Sequence, residues 1–164
     1  MRSFLLSWLS RRHAGDDLMT FKRSHPGPWL VWEAGTWRPP SADRATIVAA
    51  GQDGRSTSGD ALVLEVAGRA GRPGIEGVRL GRGPENDIVV DDGTLSRAHL
   101  LLRQEDGGWT LEDLRSSNGT RVDGRAVRGG RVAVAPGSRI EAGAVRLTFY
   151  DADGLFLRIK RGVV

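Results

Sequence analysis

Val145, Leu147 and Phe149 alternate with Arg146, Thr148 and Tyr150. A period of two places the three apolar side chains on one face of a pleated strand. Similar short runs recur along the last hundred residues, each ended by turn-forming residues. Ala61 to Val66 is apolar apart from Glu65. Gly77 to Leu80 leads into Gly81-Arg82. Ile88-Val89-Val90 stops at Asp91-Asp92-Gly93, and His99 to Arg103 stops before Glu105-Asp106-Gly107-Gly108. Trp109 and Leu111 alternate with Thr110 and Glu112, Val132 and Val134 flank Ala133, and Leu155, Leu157 and Ile159 alternate with Phe156, Arg158 and Lys160. Asp123-Gly124 between Val122 and Arg125 is a two-residue hairpin signal. Many short strands with no helical period between them predict an all-β sandwich or barrel.

The first 59 residues read differently. Four of the five tryptophans lie there, at positions 8, 29, 32 and 37. Ser3 to Arg12 has the pattern of one amphipathic helix. Asp16-Asp17 can start another, which must end before Pro26 because proline cannot continue a helix. Trp29-Leu30-Val31-Trp32 reads as a short strand. The Gly/Ser/Asp-rich stretch from Gly51 to Gly59 is a linker or loop signal. The expected organisation is therefore an N-terminal extension of mixed helix and strand over residues 1–59, packed on the sandwich, and a β domain over residues 60–164. Packing is expected because tryptophan rings at this density need burial.

Composition narrows the function. The 164 residues include no cysteine, which excludes disulfides and cysteine-ligated metal. The formal charge is +4, but residues 60–164 carry 16 basic and 15 acidic side chains interleaved along the chain. A nucleic-acid binder gathers its positive charge on one face to meet phosphates, so a mixed solvated surface is the better reading. No apolar run approaches the roughly 20 residues of a membrane span. Phe4 to Leu9 is too short for a signal segment and has its arginines on the wrong side. A cytoplasmic protein without metal or cofactor is expected.

The polar segments between the strands carry the chemistry. In order they are Gly81-Arg82, Asn86-Asp87-Ile88, Ser96-Arg97-Ala98-His99, Asp113 with Ser117-Asn118-Gly119-Thr120, and Val122-Asp123-Gly124. Each is weak alone, and together in this order they are specific. A phosphate carries about −1.5 to −2 charges and three strong acceptor oxygens, so it needs donors from several directions. Arg82 in a glycine-flanked loop can offer a planar fork, Ser96 a hydroxyl, and the turn backbone fixed dipoles.

The stretch from about Ala61 to Lys160 resembles the forkhead-associated (FHA) domain, a β-sandwich of about 11 short strands that binds phosphothreonine peptides through loops at one end. The resemblance implies that Arg82 and Ser96 contact the phosphate, that Arg97 or its backbone assists, that Ser117 reaches it as well, and that Asn118 hydrogen-bonds the peptide backbone. It implies supporting roles for Gly81 and Gly119 as backbone requirements and for His99 as a brace between loops. Ser96 and His99 also suggest a hydrolase, but no orienting acid stands at a recognisable position. The implied function is a non-enzymatic phosphothreonine-binding module in Ser/Thr kinase signalling. Its partner would be a phosphothreonine-containing protein, such as a Ser/Thr kinase or its substrate. The alternative is a phosphate-independent adaptor or self-association module that uses the N-terminal extension. The oligomeric state is left open by the sequence.

Overall fold

The computed structural model describes residues 2–34, 59–68 and 76–161. The linker expected from Gly51 to Gly59 lies outside them except for its last residue, as does Trp37. Two antiparallel-rich sheets face each other. The first holds seven strands: β1 (Ser3–Leu5), β2 (Trp29–Trp32), β3 (Leu62–Glu65), β8 (Thr120–Val122), β9 (Arg125–Ala126), β11 (Arg139–Ala142) and β12 (Val145–Tyr150). Its order is β1-β3-β2-β12-β11-β8-β9. The second holds β4 (Val78–Gly81), β5 (Ile88–Val89), β6 (Leu100–Glu105), β7 (Gly108–Asp113) and β10 (Arg131–Val134), in the order β10-β7-β6-β4-β5. The expected all-β sandwich is present, with twelve strands among the described residues where about eleven were expected.

The core between the sheets follows from the alternation. Val145, Leu147 and Phe149 point inward with Leu30, Trp32, Leu62, Leu64 and Ile140. They meet Leu80, Leu100, Leu102 and Leu111 of the opposite sheet in one buried cluster. Asp123 and Gly124 both have positive φ, 50° and 80°, in the hairpin between β8 and β9. Two positive values are what a twisted two-residue turn requires.

Strand β2 sits between β3 and β12, with Leu30 opposite Leu64 on one side and Phe149 on the other. The segment before residue 59 thus supplies an interior strand of the larger sheet as well as its edge strand β1. Three helices cover the outer face of this half of the sheet: α1 (Leu6–Arg12), α2 (Leu18–Ser24) and α3 (Ala152–Lys160). Beneath them Trp29, Val31 and Val63 form a second core with Leu6, Leu9, Phe21, Leu155 and Ile159. Burial on both faces explains why β2 reads as the unbroken apolar run WLVW, whereas β12 alternates. Trp32 enters the sandwich core and Trp29 the helical one, so neighbouring tryptophans serve opposite faces of one sheet.

Two local expectations are corrected. Leu155 to Ile159 is helical. Leu155 and Ile159, four residues apart, are buried, and Leu157 is 56% exposed. Asp151 decides the matter by capping the helix, accepting from Gly154 N–H at 2.7 Å. Six residues of alternating type fit either period, and the cap with an i, i+4 pair selects the helix. Ser3–Leu5, expected to begin a helix, is β1, paired with Leu62–Leu64. Helix α1 starts only at Leu6, where Asp60 receives the Ser7 amide at 3.2 Å and bonds the Ser7 hydroxyl as well. A residue 53 positions away cannot be anticipated as a cap. Helix α2 is capped by Asp17, which accepts from Thr20 N–H at 2.8 Å.

The helical core contains a pH-sensitive group. His25 is buried, stacked on Phe21 at 4.9 Å between ring centroids and edge-on to His13 at 4.8 Å. Burial, aided by the neighbouring His13 and Arg2 and opposed by Glu65, pushes its imidazole down to about 4. The ordinary value is near 6.5 in an unfolded chain. The unfolded state therefore takes up a proton that the folded state refuses as the pH falls through 6.5 to 4. Stability is expected to be full above that window and to drop within it by on the order of 2 kcal/mol. A His25→Phe variant should flatten the profile measured by urea unfolding at pH 7 and pH 4.5.

Candidate functional site

The loops at one end of the sandwich are held by a dense set of backbone bonds. At the end of β4, Arg82 N–H donates to Ser96 O and Gly83 N–H to Arg97 O, both at 3.0 Å. The two loops lie so close that a Cβ on Gly81 would stand 2.3 Å from Arg97 O. Only glycine permits this approach. Asn86 is fully buried, and its amide donates to Gly83 O at 2.7 Å and Arg97 O at 2.5 Å. Asp87 receives the Arg79 amide at 2.8 Å. Asn86 and Asp87 thus shape the loop from behind and face away from solvent.

His99 links this pair of loops to the β7–β8 loop. Its ring is fully buried. Nδ1 accepts Ser96 N–H at 3.0 Å, which leaves the proton on Nε2, 3.1 Å from Gly119 O. Gly119 has φ 76°, and its carbonyl also receives Gly143 N–H at 3.3 Å. With both ring nitrogens occupied by backbone groups, the imidazole has no free nitrogen to act as a base on Ser96 Oγ. The geometry therefore offers no Ser-His hydrolytic pair.

In front of this brace the polar side chains open to solvent. Ser96 Oγ accepts Ser117 N–H at 2.9 Å, so its own hydroxyl proton is available to a ligand. Arg82 is exposed, and its Nε donates to Leu95 O at 3.2 Å. That bond fixes the stem, and the two terminal nitrogens have no hydrogen-bond partner among the described residues. Asn118 donates from Nδ2 to Thr94 O at 2.8 Å, keeping its carbonyl oxygen and one N–H free. Ser117 is exposed beside it. Arg97 is turned to Glu85, 3.6 Å away, on a highly exposed surface. Such a pair is weak and can open. Arg82, Ser96, Ser117 and Asn118 are brought to one rim, and Arg97 sits at its side.

Two residues hold the loops through contacts that sequence does not show. Asp113 receives Ser116 N–H at 2.9 Å, Ser116 Oγ at 2.7 Å and Thr120 Oγ1 at 2.5 Å, closing the β7–β8 loop onto itself. Burial alone would push its carboxyl up, but the bonds from Ser116 and Thr120 hold it below the ordinary value. Its place three residues before Ser116 was the available signal. Thr94, which by resemblance lies in the loop that helps read residues after the phosphothreonine, also braces the site. Its hydroxyl donates to Asp92 at 2.6 Å and accepts Ala144 N–H at 2.8 Å, tying the β11–β12 turn to the site. No periodicity could reveal a contact across 50 residues.

Among the described residues no cluster of three or more His, Asp or Glu side chains could hold a metal, and no helix is long and apolar enough to cross a membrane. Among the described residues the rim presents a guanidinium without an ion-pair partner, a hydroxyl, an amide and exposed turn backbone. This donor-rich arrangement suits a small multivalent anion.

Comparison with known proteins finds similarity over the stretch that holds the loop motifs. The FHA domain family model matches residues 78–143. The oxoglutarate dehydrogenase inhibitor of Corynebacterium diphtheriae is 41% identical over 71 residues, covering 43% of this chain and 48% of the inhibitor. The ABC transporter ATP-binding/permease protein Rv1747 of Mycobacterium tuberculosis is 34% identical over 128 residues, 74% of this chain but 14% of that protein. The chain thus spans no more than about half the length of either relative. The crystal structure of the FHA domain of the CT664 protein from Chlamydia trachomatis superposes with a TM-score of 0.49 and 19% identity, over 76% of this chain and 98% of that one. Residues 78–143, which hold the Arg82, Ser96 and Asn118 loops, are the part of the chain that matches the FHA domain family.

Proposed function

We propose that this protein is a non-catalytic binding module that captures phosphothreonine-containing segments of partner proteins in Ser/Thr kinase signalling. The partner class is a Ser/Thr kinase or its substrate, and the setting is the cytoplasm of a bacterium. One observation carries the reading. Among the described residues the Arg82 guanidinium has no ion-pair partner, its backbone is bonded to that of Ser96, and the Ser96 hydroxyl oxygen is held by the Ser117 amide. In this reading Arg82 and Ser96 take the phosphate, Ser117 adds a hydroxyl, and Arg97 swings from Glu85 to assist. Asn118 fixes the register of the peptide backbone, and Gly81, His99 and Gly119 hold the loops in place. Residues 2–34 belong to the folded unit that presents these loops, because β2 supports β12 and thereby the β11–β12 turn.

The peptide is anchored by one charged group and a few backbone bonds, so micromolar affinity, on the order of −8 kcal/mol, is expected. The test is to follow the backbone amide resonances of the full chain while adding a phosphothreonine peptide. Shifts concentrated at residues 82–83, 94–97 and 117–119 support the site. Shifts confined to the three helices would transfer binding to the opposite region and favour the adaptor reading.

A further inference from the structure

The helices leave part of the larger sheet's outer face uncovered, where β11 and β12 meet the flank of α3. Two adjoining clefts lie there. One, of about 490 Å³, is lined by Pro136, Leu157 and Arg161. The other, of about 420 Å³, is lined by Arg139, Arg146 and Thr148. Gly137, Tyr150 and Arg158 belong to both, so the clefts form one groove along β12. The groove runs away from the phosphate rim. Tyr150 lies five residues along β12 from Val145, next to the β11–β12 turn, which is roughly 16 Å of strand.

The two ends differ in chemistry. At the first, Leu157 is 56% exposed and belongs to neither core. It stands with Pro136 and the half-buried Tyr150. Helix α3 seats closely on this floor, since a Cβ on Gly154 would stand 2.9 Å from the Tyr150 ring. A Cβ on Gly137 would meet nothing within 4 Å, so the groove is open above that turn. At the second end the charges are unequally satisfied. Glu33 is held by Thr148 Oγ1 at 2.7 Å and by Arg158 Nη2 at 3.0 Å. Asp151, at the first end, is used by the Gly154 amide. Arg139, Arg146 and Arg161 are exposed, and none has an ion-pair partner among the described residues. Glu141, opposite Arg146 in register, is the one lining carboxylate left over. Three free guanidiniums against one free carboxylate give the groove a positive surplus.

We propose that this groove docks an extended, unphosphorylated acidic segment of a partner protein. One apolar side chain of the segment rests against Leu157, Pro136 and Tyr150, and its carboxylates lie over Arg139 and Arg146. The spacing follows from β12. Arg139 pairs with Thr148, two residues from Tyr150, and Arg146 is four residues from it. Residues i, i+2 and i+4 of an extended peptide share one face. The pattern that fits is an apolar residue with acidic residues two and four positions away. This docking does not rest on the phosphothreonine site, and the two can be filled together.

The experiment is fluorescence anisotropy of a labelled ten-residue peptide added to the full chain. The peptide carries one leucine with aspartates two and four positions from it, and it is made in both chain directions. Saturable binding in at least one direction is expected at low salt, weakening as salt is raised. The same peptide with asparagine for aspartate should bind about three- to thirtyfold more weakly, because two exposed ion pairs are lost. Arg139→Gln with Arg146→Gln should have the same effect without moving the melting temperature, and Leu157→Ser should weaken binding about threefold or more. Arg82→Ala should leave it unchanged. No saturable binding in either direction, or binding indifferent to both the asparagine peptide and the double variant, overturns the proposal. Binding lost in Arg82→Ala overturns it by moving the acidic segment to the phosphate rim. Self-association, or attachment to phosphatidylserine vesicles, that the double variant abolishes while the peptides fail to bind overturns the assignment to a protein segment.

Discussion

Replacing Trp29 by alanine is expected to lower the unfolding free energy by about 3–5 kcal/mol, within the range for removing a large buried aromatic side chain. Trp29 is fully buried at the centre of the helical core. Its ring meets Phe4 at 6.0 Å and His25 at 5.8 Å between centroids, and the Arg2 guanidinium lies 5.4 Å from it. The residue also belongs to β2, between β3 and β12, so the loss reaches the interior of the larger sheet. Urea unfolding followed by tryptophan fluorescence and by circular dichroism should give one coincident transition for the native chain and for the variant. A loss below about 1 kcal/mol, or a second transition that Trp29→Ala alone displaces, would show a helical layer that folds independently. For the same reason a chain starting near residue 59 should not fold stably, since it lacks the strand between β3 and β12.

Replacing Arg82 by alanine is expected to weaken phosphopeptide binding about 10- to 100-fold. A hydrogen bond to a charged group contributes about 1.5–3 kcal/mol, and each 1.4 kcal/mol is tenfold. Arg82 is exposed, and among the described residues its side chain makes one bond, from Nε to Leu95 O. Its loss should therefore leave the fold almost untouched, because the 82–83 backbone is held by its own amides on Ser96 O and Arg97 O. Calorimetry gives the affinity and thermal unfolding the stability. A tenfold or greater loss with an unchanged melting temperature fits the account. Arg82→Lys should recover only part, since lysine keeps the charge but cannot offer two parallel donors. A variant that unfolds would instead place Arg82 among the structural residues, and one that binds normally would remove it from the site.

The legible parts of this sequence were those set by local rules. Alternation in β12, the Asp123-Gly124 hairpin and the continuous run of β2 can each be read from a few residues, because pleat and turn impose short periods. The loop motifs were legible because the order of Arg82, Ser96 and Asn118 carries information that no single residue does. What stayed hidden was decided at long range. Ser3–Leu5 forms a strand because Leu62–Leu64 offers an edge, a choice no propensity within the segment contains. Leu155 to Ile159 alternates like a strand yet is helical because Asp151 caps it and the helical core receives Leu155 and Ile159. The bracing contacts of Thr94 depended on Ala144, a partner brought near only by the fold.

The central claim is that the rim built from Arg82, Ser96, Ser117 and Asn118 recognises a phosphate on threonine. The most direct measurement is calorimetric titration of the full chain with one peptide in three forms: phosphothreonine, phosphoserine and unmodified threonine. Micromolar binding of the phosphothreonine form, with the unmodified form at least a hundredfold weaker and the phosphoserine form in between, is the result expected. Equal affinity for the phosphorylated and unmodified forms would contradict the account.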